Sequence, residues 1–93
     1  MITLRVNTRD HVFIPYEGET PVNPEVALIP ADFGDYPVED TPDWRPADYA
    51  DGDIRFLLGA DPHVYPRGSY AVVVRYTLGT AQPEEWAGWI RLL

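Results

Sequence analysis

The stretch Pro66-Arg67-Gly68-Ser69-Tyr70-Ala71-Val72-Val73-Val74-Arg75-Tyr76-Thr77-Leu78 decides how the rest of the chain is read. A Pro/Gly turn opens it and a long alternating strand follows. Tyr70, Val72, Val74, Tyr76 and Leu78 fall on one side at period two, and Ala71, Val73, Arg75 and Thr77 on the other. Gly79 to Glu85 reads as a turn, and Trp86-Ala87-Gly88-Trp89-Ile90-Arg91-Leu92-Leu93 as the returning strand. Tyr70 stands just after the turn, near the start of the penultimate strand. A ring there is expected to be buried, with its hydroxyl bonded to a nearby backbone carbonyl.

Upstream, Ile2, Leu4 and Val6 alternate with Thr3, Arg5 and Asn7 as a half-buried first strand. Val12 to Tyr16 is a short second strand, which Pro15 confines to a sheet edge or terminates. Glu25 to Pro30 is apolar on both faces, as a central strand would be. Ala31 to Asp53 is a long acidic connection broken by Pro37, Pro42 and Pro46, with an edge strand expected between Trp44 and Tyr49. The turn Asp51-Gly52-Asp53 leads into Ile54 to Leu58, with Ile54, Phe56 and Leu58 inward. The expected fold is an all-β, immunoglobulin-like β-sandwich of about seven antiparallel strands, formed by residues 1–93 as a single domain.

Composition bounds what such a domain can do. With 93 residues there is material for one two-layer core and little for an elaborate active site. The net charge of −8 argues against nucleic-acid phosphates as partner and favours a basic surface. No cysteine is present, so disulfides and thiolate chemistry play no part. No apolar run approaches membrane-spanning length, and no membrane partner is expected. The start, Met1 to Arg5, enters strand alternation without a signal core, which predicts synthesis in the cytoplasm.

Chemistry-bearing residues are sparse. His11 and His63 lie in no metal-ligand spacing and read as surface or turn histidines. Ser69 has no adjacent histidine to activate it. Asp48, Asp51 and Asp53 bracket Gly52 and suggest calcium, but the EF-hand spacing is not met, and such a run is more often a solvated face. No cofactor is expected. Paired carboxylates would need a cleft to serve a glycosidase, and the chain is short for one.

Apolar surplus points to a partner instead. Under strict alternation, Trp86 and Ile90 share one face of the last strand and Trp89 and Leu93 the other. Val73 opposes Val72 and Val74, and Leu57 opposes Phe56. Either the chain's own loops cover Trp89 and Leu57, or Val73, Trp89 and Leu93 belong to a patch that another subunit covers. The acidic segment around Asp40, Asp43 and Trp44 is a second candidate surface.

The motif Pro66-x-Gly68-x-Tyr70, the alternating Val72 to Thr77 and the returning Gly88-Trp89-Ile90 resemble small immunoglobulin-like proteins of tailed-bacteriophage virions. That resemblance implies a non-enzymatic virion component bound to capsid or tail subunits, present in multiple copies of a symmetric assembly. Capsid decoration or cementing and the head–tail junction are the implied places. A baseplate- or tail-associated module for carbohydrate or another ligand, stacking sugars on Trp44, Tyr36 and Tyr49, is the alternative. A small hydrolase is a third reading.

Overall fold

A computed structural model describes residues 2–6, 8–37, 42–59 and 65–93. Among these residues eight strands are present: β1 (Ile2–Leu4), β2 (Asp10–Pro15), β3 (Val22–Pro30), β4 (Arg45–Pro46), β5 (Asp48–Ala50), β6 (Asp53–Leu58), β7 (Gly68–Thr77) and β8 (Glu84–Leu92). They form a five-stranded sheet in the order β1-β8-β7-β3-β4 and a three-stranded sheet in the order β2-β6-β5. This partition of strands is that of an immunoglobulin-like sandwich.

The expected sandwich therefore forms, with two corrections. The Trp44 to Tyr49 strand is two strands: β4 pairs with β3, and after Ala47 the chain crosses to the other sheet, where β5 pairs with β6. Pro46 does lie on a sheet edge, where its missing N–H breaks no ladder. The pairing is also not wholly antiparallel, because β1 runs parallel to β8 with Ile2 opposite Ile90 and Leu4 opposite Leu92.

Period-two burial builds the core. Tyr70, Val72, Val74 and Tyr76 of β7 meet Val26 and Leu28 of β3, Ile90 and Leu92 of β8, and Val12, Ile14, Ile54, Phe56 and Leu58 from the facing sheet. Ile54 and Ile90 are among the most fully buried side chains. Asp51 and Gly52 both take positive φ (52° and 81°), the conformation a two-residue hairpin between β5 and β6 needs. Three acidic positions of that region thereby have structural explanations. Asp51 makes the turn, Asp53 pairs with Ala50 and with Pro15, and Asp48 lies 3.9 Å from Arg55.

Tyr70 behaves as expected of the turn–Tyr–strand motif. Its ring is buried and packs edge-on against Tyr65 at 5.7 Å, and its hydroxyl donates to the Pro66 carbonyl at 2.5 Å. The bond closes the turn onto the strand that follows it. Tyr70→Phe keeps the ring and deletes the donor, so stability should fall by about 1 kcal/mol. Urea unfolding with an unchanged m-value measures this, and a loss near zero would show that the hydroxyl carries none of the turn.

Candidate functional site

The outward side of the five-stranded sheet is where the apolar surplus collects. Its centre is small and aliphatic: Ala27 and Ile29 of β3 pair with Val73 and Ala71 of β7, and all four are buried although they point away from the core. The cover comes from the connection between β3 and β4. Phe33, Tyr36 and Pro37 of that connection fold back across the sheet, and Pro37 and Pro42 share a cavity of about 150 Å³ with Ile29 and Val73.

An irregularity in β8 determines which side chains meet this cover. Val72 pairs with Gly88 but Val73 pairs with Trp86, so Ala87 is an extra residue opposite no partner. Gly88 holds φ +128°, a conformation that residues with a Cβ avoid. Without the bulge, residues three apart would face opposite ways. With it, Trp86 stands beside Val73 and Trp89 beside Ala71, both on the outward side, while Ile90 and Leu92 stay in the core. The strict alternation expected of Trp86 and Trp89 is thus corrected.

The two indoles anchor the connection. Trp89 Nε1 donates to the Asp35 carbonyl at 2.9 Å. Its ring meets Phe33 and Tyr36 edge-on, each at 5.2 Å between centroids, and Tyr36 also meets Trp86 at 5.4 Å. Each such pair contributes about 1 kcal/mol beyond its buried area. The cover is itself greasy: Phe33 is 62 % exposed, Tyr36 60 % and Trp86 40 %. Asp32 and Asp35 are exposed in the same connection, and Glu84 is exposed on the outward side of β8. The surplus apolar surface has moved from the sheet to the connection and to Trp86.

Towards β4 the same side carries an ionic arrangement. Arg75 donates from Nε to Glu25 at 2.9 Å, and its guanidinium lies 4.4 Å from the centroid of the Trp44 ring. Asp43 accepts from Arg45.

The residues singled out from sequence are therefore dispersed. Val73 and Trp89 share one side of one sheet, but Val73 is already covered within the chain and Trp89 is half-buried beneath Phe33 and Tyr36. Leu93 is exposed beyond β8, where it exchanges backbone bonds with Leu4 and Val6. Leu57 is half-buried on the opposite sheet, paired with His11 and near the exposed Phe13. Trp44 and Asp43 belong to the ionic arrangement, and Asp40 lies outside the described residues. Trp44, Tyr36 and Tyr49 do not form one platform, since Tyr49 packs on Tyr16 beside the core while Tyr36 lies on the outward side. Phe33 was not anticipated. An isolated glycine inside a strand, Gly88, was the signal for a bulge and so for two indoles on one face.

Among the described residues, no three His, Cys, Asp or Glu side chains are placed to hold a metal ion. Among the described residues, no helix is long and apolar enough to cross a membrane. Comparison with protein-family models, with curated proteins and with solved structures finds no match.

Two expectations follow from the geometry of β8. Nothing stands within 4 Å of where a Cβ on Gly88 would be, so Gly88→Ala tests backbone strain alone. It should cost about 1–3 kcal/mol in urea unfolding. It should also weaken the near-ultraviolet circular dichroism of the coupled indoles, and an unchanged spectrum would mean that the bulge does not set their positions. The second expectation concerns Tyr76, which donates to Glu85 at 3.0 Å. Burial first, and then the bond and the charge of Glu85, push its pKa from 10.0 up to about 12. Burial raises Tyr65 and Tyr70 as well. A raised folded-state pKa favours the protonated fold, so this stability is complete below pH 10 and is lost as pH rises through about 12. Urea midpoints across that window should decline, and Tyr76→Phe should flatten the decline; equal slopes would assign the alkaline loss elsewhere.

Proposed function

We propose that this domain is a non-enzymatic binding module that docks onto other protein subunits through the aromatic side of its five-stranded sheet. The observation that carries this reading is the cluster of Phe33, Tyr36 and Trp86, held edge to edge by Trp89 and left open to solvent. Aromatic anchors with few rotatable bonds are enriched at the centres of protein interfaces. Here they are already ordered by one another, so docking costs little side-chain entropy. The rings meet at 62° to 75°, which suits burial against a protein surface better than the flat stacking of a sugar.

The assembly we propose is the virion of a tailed bacteriophage, with capsid or tail subunits as partners. Support for this is the resemblance of residues 66–90 to small virion proteins and the acidic surface, which suits a basic protein lattice and repels packaged DNA. Repetition of the contact over many copies would make a modest single affinity sufficient.

The test is co-sedimentation of the purified domain with tailed-phage capsids and tails that lack it. Phe33→Ala deletes one ring pair and Tyr36→Ala two, so stability in urea unfolding should fall by about 1 kcal/mol per pair while unfolding stays cooperative. With the variants still folded, each should lower particle binding by at least about tenfold. Full binding by the double variant would remove this face from the interface.

A further inference from the structure

Beside the aromatic cluster lies the cavity of about 150 Å³, and the described residues that line it are of two kinds. Ile29 and Val73 from the sheet and Pro37 and Pro42 from the connection make it apolar. Glu84, Glu85 and Trp86 border it along β8. It is smaller than the roughly 300 Å³ at which small-molecule sites begin, and suits a single long side chain. Neither Glu84 nor Glu85 makes an ion pair among the described residues. The Glu85 carboxylate turns to the core side, where it accepts from the Tyr76 hydroxyl at 3.0 Å, so Glu84 is the carboxylate on the cavity's side of β8. Arg75, the cross-strand neighbour of Glu84, is turned to Glu25 and Trp44.

We infer that this cavity receives an arginine side chain presented by the docked protein subunit. The inference rests on the docking reading above and names the chemistry at its centre. The aliphatic stem of an arginine would lie against Ile29, Val73 and the two prolines, and its guanidinium would reach the Glu84 carboxylate at the rim beside the Trp86 indole. Guanidinium is weakly hydrated, stacks on aromatic faces and matches carboxylates with a planar fork, whereas an ammonium offers a strongly hydrated point charge. The chain already uses this combination on the same side of the sheet, where Arg75 lies over Trp44 and bonds Glu25. The cavity repeats the aromatic and carboxylate halves of that arrangement next to an apolar slot, and the formal charge of −8 attracts the cation that completes it.

The probe is N-acetyl-arginine amide, titrated into the full domain and followed by NMR at the Trp86 indole and Val73 methyl resonances. N-acetyl-citrulline amide, of the same shape and uncharged, is the control. The expected result is saturable shifts at both groups with the arginine compound, at least about fivefold tighter than with citrulline. Glu84→Gln should reduce the difference about fivefold. Equal shifts from the two compounds, or none at these groups, would overturn the assignment, and this comparison needs no variant to fold. Particle co-sedimentation separates this failure from that of the docking reading. Loss of binding in Tyr36→Ala with full binding in Glu84→Gln overturns the arginine site and keeps the face. Loss in both supports the site, and full binding in both overturns the docking on which it stands.

Discussion

One extra residue in β8 governs the outward chemistry of this domain. Ala87 has no partner on β7, and Gly88 supplies the backbone conformation that lets the strand absorb it. The consequence is a change of side for everything before the bulge relative to everything after it. Ile90 and Leu92 close the core, while two indoles, three positions apart, stand together on the far side. A regular strand would have placed one indole among the core residues and one against solvent, with nothing to grip the β3–β4 connection.

That grip explains why the middle of the outward side is dry. A sheet with Ala27, Ile29, Ala71 and Val73 turned away from the core would expose a flat aliphatic strip, which in a lone domain invites association. The connection is recruited to cover it by rings on both partners and by the bond from Trp89 to Asp35. Coverage does not end the problem, because the covering rings are themselves open to solvent. Of the two accounts weighed from the sequence, self-coverage holds for Val73 and partly for Trp89, and coverage by another subunit is what we propose for the outer rings.

Much of the sandwich was legible because the rules involved are local. Period two in β6 and β7, the Asp51-Gly52 hairpin and the turn before Tyr70 each depend on a few adjacent residues. Even Pro46 reported its edge position correctly. What was not legible depends on register and on distant segments. The side taken by Trp86 follows from where a bulge falls against β7, and the role of Phe33 follows from a connection folding back over strands far along the chain. The parallel course of β1 along β8 likewise joins the two ends of the sequence, which no local pattern encodes.

The connection between β3 and β4 contributes little to the inner core, yet it supplies Phe33, Tyr36, Pro37 and Pro42 to the outward face. The outward surface and the inner core are consequently written largely in separate parts of the chain. Substitutions at the exposed positions of that connection can therefore change the chemistry of the face while the inner packing stays as it is.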